Sequence, residues 1–463
     1  MTAPILRPYQ EEGIAAAREL VKSGKNRVLL TCPTGGGKTL IASSIIQGAK
    51  AKGKSVLFLA HRKELIQQTS AKLSLFGVEH GIIAAGMDSN TKRPVIVASV
   101  QTLVRRPNAI ADVDLVFIDE AHHISAGSWK TIMGWYPGAK AIGLTATPWR
   151  LDGKGLGDFF EESVLVATPE QLEQQGFLVP LECYTFRAIA TESVNVTGGD
   201  FDTTAMSGIA QGTEIIGDVV NQYLTHCRGK RGILFACDIA HSKKMTAAFV
   251  SVGVRAEHLD GNTPAVERAA ILRRLSAGQC EVLCNVNVAT EGFDCPAVEV
   301  IMLCRPTMSE SLCLQMIGRG LRPCDGKTVA RVHDHARMLP AHGHPYADRD
   351  WSMTRSGKKN RAAVEKAPKS KEGELFERPA PVLVLEAERE EYGKDGSRNG
   401  KKTEPSVWFR KLDSDGKKRF WLRMVEKHGD ARKAGRIYRW ASGDTEWAPH
   451  SWSAELLRQN QGD

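Results

Sequence analysis

The 463-residue sequence has no apolar run close to the ~20 residues that a membrane-spanning helix needs. Its N-terminus also lacks the basic-then-apolar layout of a secretory signal. Membrane insertion is therefore not expected, and the expected compartment is the cytosol, bacterial or phage-infected. Cysteine occurs ten times, never as a CxxC pair and never beyond Cys324. That leaves no zinc-finger spacing and no secreted disulfide framework, so reduced, buried thiols are expected. Cys280 and Cys284 have no second pair to complete a tetrahedral site, and His333, His335, His342 and His344 fall in a Pro- and Gly-bearing loop unsuited to metal ligation. Neither sign of charge dominates: 62 Lys+Arg face 53 Asp+Glu, a net +9. With 42% hydrophobic and 25% charged residues the composition is that of folded protein. The length exceeds what one core usually serves, giving a prior of about three domains.

The small basic excess is unevenly placed. From Met353 onward there are 25 basic against 18 acidic residues, and 37 against 35 before it. A basic appendage on a near-neutral body suits a polyanion, although a solvated charged tail has the same composition. Aromatics are only 6% of the chain, yet five of its nine tryptophans lie in the last 60 residues. Trp408, Trp421, Trp440, Trp447 and Trp452 interleave there with Arg410, Lys417, Arg423, Lys433 and Arg439. These rings suit a small structural core. They also suit a surface on which bases stack, worth roughly 1–3 kcal/mol per base.

Short β-branched or apolar runs alternate with helical patterns twice along the chain, as in parallel sheets flanked by helices. Strands are expected at 28–31, 56–60, 95–98, 115–118 and 141–144, and again at 232–236, 255–259, 281–285, 298–303 and 330–333. The Gly-rich stretch 149–168 reads as a hinge between two lobes. The expected organisation is an α/β chain with lobes at 1–165 and 166–345, a flexible charged linker at 346–403 and a small basic aromatic domain at 404–463.

The most informative segment is Cys32-Pro-Thr-Gly-Gly-Gly-Lys-Thr39, between an expected strand and an expected helix. A Gly-rich turn opening a helix lets backbone N–H groups surround phosphate oxygens, which assigns Thr34, Gly35, Gly36 and Gly37 to the cradle. Lys38 reaches the β/γ-phosphates and Thr39 holds Mg²⁺. Cys32 replaces the first glycine of the strict pattern. At the end of a second strand, Asp119 is expected to steady the metal and Glu120 to polarise a water. ATP and Mg²⁺ are thus the expected cofactors. Near the start, Gln10, in Leu6-Arg-Pro-Tyr-Gln10, suits an adenine edge, with Arg7 beside it. His61, Arg62, Ser99 and Gln101 follow strands where loops of an open sheet meet ligands. Thr145 and Thr147 are placed to link the acid loop, ending at His122, with whatever lies across the cleft. In the second lobe the chain turns at Gly292, and Asp294 suits a ribose hydroxyl. Gln315, Arg319 and Arg322, spaced i, i+4 and i+7, are expected on one helical face that meets the triphosphate. An arginine supplied from a second lobe raises phosphoryl-transfer rates by roughly 10³–10⁵.

Taken in order, these elements resemble the superfamily 2 helicases, in the form whose acid box reads Asp119-Glu-Ala-His122. The resemblance covers about residues 5–335. Leu59-Ala-His-Arg-Lys-Glu-Leu65, Ser99-Val-Gln-Thr102, Gly143-Leu-Thr-Ala-Thr-Pro148, Glu291-Gly-Phe-Asp294 and Ile317-Gly-Arg-Gly-Leu-Arg322 look most like the RadD-type bacterial and phage DNA helicases. The resemblance implies two tandem RecA-like lobes, catalysis by Lys38, Asp119, Glu120, Gln315, Arg319 and Arg322, and ATP-dependent work on DNA at repair or recombination intermediates. It also implies strand contacts near His61, Arg62, Ser99, Gln101 and Asn262. Single-stranded or branched DNA is the expected track. RNA remains open, as does a restriction-type motor subunit that binds a protein partner through the C-terminal region. The chain departs from the RadD type in lacking a Cys-rich zinc segment after the core.

Overall fold

The computed structural model describes residues 4–124, 127–186, 189, 194, 196–197, 200–290, 292–354 and 373–376. The chain divides into two compact units, Met1–Pro381 and Val382–Asp463, and both expected lobes fall in the first. The expected basic aromatic domain at 404–463 lies outside the described residues.

The first lobe runs α1 (Pro8–Lys22), β1 (Arg27–Thr31), α2 (Lys38–Ala51), β2 (Val56–Ala60), α3 (Lys63–Leu75), β3 (Gly81–Ile83), β4 (Val95–Ser99), α4 (Val100–Leu103), β5 (Leu115–Ile118), α5 (Gly127–Trp135), β6 (Lys140–Thr145) and β7 (Glu162–Leu165). Its seven strands pair in parallel in the order β3-β4-β2-β5-β6-β1-β7. Central strands such as β2 are buried along their whole length. A strand covered by helices on both faces must be apolar throughout, which is why Val56-Leu-Phe-Leu-Ala60 shows no alternation.

The second lobe contains α6 (Pro169–Gln174), β8 (Leu181–Thr185), β9 (Val196–Thr197), β10 (Asp200–Phe201), α7 (Thr203–Ala210), α8 (Thr213–Cys227), β11 (Gly232–Ala236), α9 (Ile239–Ser251), β12 (Ala256–Leu259), α10 (Ala265–Ser276), β13 (Val282–Asn285), β14 (Val300–Cys304), α11 (Glu310–Gly318), β15 (Ala330–Asp334), α12 (Met338–His342) and β16 (Glu374–Leu375). Its main sheet is ordered β12-β13-β11-β14-β15-β8-β16, parallel except for the β16 edge. The fold class expected from sequence, two parallel-sheet α/β lobes in tandem, is the one observed.

Two boundaries differ from expectation. The stretch read as a hinge ends inside the first lobe, because β7 adds to the sheet beside β1. The stretch read as a flexible linker begins inside the folded unit. Tyr346 donates its hydroxyl to the Val179 carbonyl (2.7 Å), Trp351 lies 5.5 Å from Trp149, and the Gly157 N–H donates to the Met353 carbonyl (3.0 Å). Residues 346–354 thus return from the second lobe to the first, held by rings and backbone hydrogen bonds that a composition count does not register. All ten cysteines are free, nine of them buried, and burial pushes thiols such as Cys284 up to about 12. Among the described residues no group of His, Cys, Asp and Glu is arranged to hold a metal, and no helix is long and apolar enough to cross a membrane.

Candidate functional site

The loop from Cys32 to Gly37 joins β1 to α2. Gly35 and Gly37 adopt φ of 92° and 85°, where a side chain is strained. A Cβ at Gly36 would lie 2.4 Å from Cys32 Sγ, and one at Gly37 would lie 2.4 Å from Gln10 Nε2. No side chain caps α2 at Gly37, so the first-turn N–H groups and the positive end of a 14-residue helix face the loop. This donor set fits the phosphates of a nucleotide. Lys38 Nζ donates to the Cys32 carbonyl (3.5 Å) and stands 3.9 Å from Glu120 Oε1. Burial pushes the Cys32 thiol up to about 12, so the loop holds no thiolate to oppose an anion.

Asp119 and Glu120, both buried, follow β5. Glu120 has φ 47°, a left-handed conformation that costs a non-glycine residue on the order of 1–3 kcal/mol. It turns the chain into the short 3₁₀ turn Ala121–His123. Lys38, Asp119, Glu120 and Thr39 supply the cation, carboxylates and hydroxyl that a magnesium nucleotide requires.

Gln10 and Tyr9 brace the loop. Gln10 Nε2 and the Tyr9 hydroxyl both donate to the Gly36 carbonyl (3.0 and 2.9 Å), while Gln10 Oε1 accepts from the Arg7 N–H (3.0 Å). The Arg7 guanidinium covers the Phe177 ring at 4.1 Å. The amide read as an adenine sensor is therefore engaged at both ends, and Tyr9 was not singled out in the sequence.

Side chains from the second lobe reach this site. Gln315 Nε2 is 3.0 Å from His122 Nε2, and Thr147 Oγ1 is 2.6 Å from Ser311 Oγ. His122 Nδ1 is 3.2 Å from Thr145 Oγ1 and 3.5 Å from Glu120 Oε2. Thr145 donates on to the Thr147 carbonyl (2.7 Å). His122, Thr145 and the Thr147 backbone are thus linked by hydrogen bonds, and the Thr147 side chain carries the contact on to Ser311 of α11. Ser311 lies one helical turn before Gln315, and that i, i+4 relation is the sequence signal that would have found it.

The expectation that Gln315, Arg319 and Arg322 share a helical face is corrected. Helix α11 ends at Gly318 with Arg319 as its cap, and two glycines flank that cap, so the chain leaves the helix before Arg322. Gln315 points to His122, whereas Arg319 donates to the carbonyls of Thr290 (2.6 Å) and Phe293 (2.7 Å) in its own lobe. Arg322 pairs with Asp294. Its Cγ lies 3.5 Å from where a Gly35 Cβ would be, which sets it beside the phosphate loop. A Cβ at Gly318 would meet Thr34 Cβ at 2.5 Å, so the two lobes are in close contact here. Gly292, at φ 67°, packs on α3 of the first lobe, where its carbonyl accepts from Gln68.

A second inter-lobe cleft, of about 500 Å³, is lined by Arg62, Glu64, Asp260, Asn262, Arg268 and Asn287, among others. Arg268 Nη1 pairs with Glu64 Oε1 across it at 2.5 Å, and Arg62 Nη1 donates to the Asn287 carbonyl at 3.1 Å. The Asn262 N–H donates to Asp260 Oδ1 (2.8 Å). Burial raises the Asp260 pKa, but hydrogen bonds from His258, Asn262 and Thr263 outweigh it and hold the group below its ordinary value. His61 lies 4.5 Å from the His123 ring, and Ser99 donates to Gln101 at the exposed end of β4 (2.9 Å). Arg268 and Asn287 were not singled out in the sequence, and Glu64 only as part of a motif, since their meaning lies in contacts between lobes.

Residues 4–150 match the family described as the res subunit of type III restriction enzymes, and residues 216–324 match the helicase conserved C-terminal domain. A Lactococcus phage protein named only as a 51.5 kDa protein is 33% identical over 73% of this chain and 74% of its own length. A Saccharomyces cerevisiae protein named as a candidate ATP-dependent helicase, IRC3, is 32% identical over 72% of this chain, which spans 52% of that relative. A solved fragment of a candidate HsdR subunit of a type I restriction enzyme from Vibrio vulnificus superposes with a TM-score of 0.59. It shares 23% identity and covers 77% of this chain and 68% of its own.

Proposed function

Because this chain belongs to the superfamily 2 helicases, and is therefore an ATP-hydrolysing motor acting on nucleic acid, we propose that its track is DNA and that it translocates on or opens single-stranded or branched duplexes. The observation that carries this reading is the pair of contacts between lobes, His122 of the acid box with Gln315 and Thr147 with Ser311, which tie the acid box to the opposite lobe. Bound ATP and Mg²⁺ supply the phosphoryl group whose transfer to water drives the cycle. Lys38 and the N-terminus of α2 hold the phosphates, while Thr39 and Asp119 hold the metal. Glu120 accepts the proton of the attacking water, a step in which its carboxylate must stay ionised beside Lys38. Arg322, beside Gly35, meets the developing charge from the other lobe, and Arg319 fixes the turn that carries it. Gln10 and Tyr9 hold the loop in place through the Gly36 carbonyl.

The res-subunit match supports DNA over RNA. It also supports a second reading, a motor subunit within a restriction-type complex. The finer likeness to RadD-type helicases, and with it a place in DNA repair within the cytosol, rests on the motif wording alone. Strand contacts are assigned to His61, Arg62, Ser99, Gln101 and Asn262, which are backbone-type contacts with weak sequence preference.

The test is steady-state ATPase of the wild type and Glu120→Gln with no polymer, single-stranded DNA, forked duplex or matched RNA. The expected result is strong stimulation by DNA that vanishes in the variant while nucleotide binding persists. Stimulation by RNA alone would overturn the DNA assignment, and stimulation only after adding a partner would favour the subunit reading.

A further inference from the structure

Lys327 lies in the connection between α11 and β15, outside every motif described above. It is 9% exposed. Its ammonium donates to four backbone carbonyls, those of Val298 (2.5 Å), Gly320 (2.5 Å), Arg322 (2.8 Å) and Pro296 (3.1 Å). An ammonium has three N–H groups, so at least one proton is shared between two acceptors. Gly320 and Arg322 belong to the turn that carries Arg319 and Arg322 away from α11. Pro296 and Val298 belong to the link between Asp294 and β14. The same two segments meet again through Arg319 on Thr290 and Phe293 and through Arg322 on Asp294. A Cβ at Gly320 would lie 2.9 Å from Ile301 Cγ1, so the turn is also pressed against β14. Glycines on both sides of Arg319 leave the turn little conformational preference of its own. The buried ammonium adds its four hydrogen bonds to the contacts that fix its path.

We propose that Lys327 is a positioning residue for the arginine turn, gathering four carbonyls of two segments so that Arg322 is presented to the phosphate loop at Gly35. This deepens the assignment of Arg319 and Arg322 above and rests on it. The Lys327 ammonium is spent on backbone carbonyls of its own lobe. Its effect is therefore on turnover rather than on affinity, since the phosphate cradle of Lys38 and α2 is built in the other lobe.

A titration distinguishes positioning from simple support. Burial pushes the Lys327 ammonium down to about 8, with Glu299, Cys324 and Cys295 pulling it up and Arg322 pushing it further down. Glu299 is itself paired with Lys230 at 2.8 Å. Above that pH the amine keeps two N–H groups and turns a lone pair toward a carbonyl, which loosens the clamp. The folded-state pKa lies below the unfolded one, near 10.5, so between the two the unfolded chain binds more protons. This group's contribution to stability therefore grows as pH rises through that window. Turnover lost there through Lys327 is not loss of fold.

The experiment measures kcat and KM for ATP, with and without single-stranded DNA, and thermal melting, from about pH 6.5 to 9.5, in wild type, Lys327→Met and Lys327→Arg. Lys327→Met is expected to lower kcat about ten- to a hundredfold with KM nearly unchanged, the range that misplacing a catalytic group produces. Wild-type kcat is expected to fall with an alkaline limb near pH 8. Lys327→Arg, charged throughout, is expected to recover part of the turnover and lose that limb. A folded Lys327→Met with wild-type kcat, or an alkaline limb unchanged in Lys327→Arg, overturns the proposal. If Lys327→Met does not fold, the Lys327→Arg profile decides. Wild-type turnover that no polymer stimulates would count against the DNA reading alone, because the comparison is still made on basal ATPase.

Discussion

The hydroxyl pair Thr147 and Ser311 offers the most direct measurement of how the lobes communicate. Both residues are fully buried, and their oxygens lie 2.6 Å apart on opposite lobes. Thr147 also has the Trp149 carbonyl as an acceptor at 3.3 Å. Ser311→Ala therefore removes one hydrogen bond without stranding Thr147, and costs the net value of such a bond, about 0.5–1.5 kcal/mol. Thr147→Val keeps the shape but leaves the buried Ser311 hydroxyl without that partner, at about 1–3 kcal/mol. Because the bond spans the lobes, both costs fall on the closed arrangement. With about 1.4 kcal/mol per factor of ten, Ser311→Ala should lower polymer-stimulated kcat by roughly two- to tenfold, and Thr147→Val by more. The assay is a double-mutant cycle on stimulated ATPase, with KM for ATP read alongside. The double variant should be no slower than Thr147→Val, which corresponds to a coupling of about 1 kcal/mol. Alanine favours the helix more than serine does, so weakened folding of α11 does not confound the reading. If the single effects multiply in the double variant, the two hydroxyls act independently and the chain from the acid box to α11 does not transmit.

Two further outcomes test the frame that holds the site. Gly143→Ala, in the middle of β6, would place a Cβ 2.4 Å from Phe160 Cζ and 2.8 Å from Leu29 Cδ1. It should lower the unfolding free energy by about 1–3 kcal/mol in a denaturant titration, and an unchanged midpoint would refute the packing. Asp114 accepts from the Ser55 N–H, Lys54 and the Ser55 hydroxyl, which hold its carboxyl down at about 2. Its folded pKa is depressed, so the stability it adds is complete above its unfolded value near 4 and is lost as pH falls toward 2. The melting difference between wild type and Asp114→Asn should follow that course, and a difference that grows with acid would contradict it.

How much of this was legible beforehand divides along physical lines. Interior strands of parallel sheets are buried on both faces and so are continuous apolar runs, which is why Val56–Ala60, Leu115–Ile118 and Gly232–Ala236 were expected where they occur. Strands β7, at a sheet edge, and β8, between β15 and the short edge strand β16, are half-buried and mixed, as in Leu181-Glu-Cys-Tyr-Thr185, and were not expected as strands. The phosphate loop was readable because its requirements are local: glycines at positive φ and a lysine opening a helix. The direction of the arginines was not, because helical spacing extrapolates a helix that Gly318 and Gly320 end. Lys327 had no local signal at all, and Ser311 had only its i, i+4 relation to Gln315. Their roles are defined by Thr147 and by the carbonyls of Pro296 and Val298, far away in sequence.

The two sides of the lobe interface differ in chemistry, and that difference bears on how a polymer can control hydrolysis. On the nucleotide side, apart from Arg322 beside Gly35, the lobes meet through amide, hydroxyl and packing contacts: the Gln315 amide on His122, the hydroxyls of Thr147 and Ser311, and Gly318 against Thr34. On the cleft side they meet through charge, Arg268 on Glu64 and Arg62 on the Asn287 carbonyl. If a nucleic-acid strand runs through this cleft as proposed, its phosphates meet arginines that are already engaged across the lobes. Binding must then exchange a carboxylate or carbonyl for a phosphate, and the inter-lobe tie is released as the strand is taken up. The neutral contacts around the nucleotide are insensitive to that exchange and to salt, whereas the charged ones are screened by it. A polymer can therefore reset the spacing of the lobes at the cleft while the acid box keeps its link to α11, which is the arrangement a strand-stimulated ATPase requires.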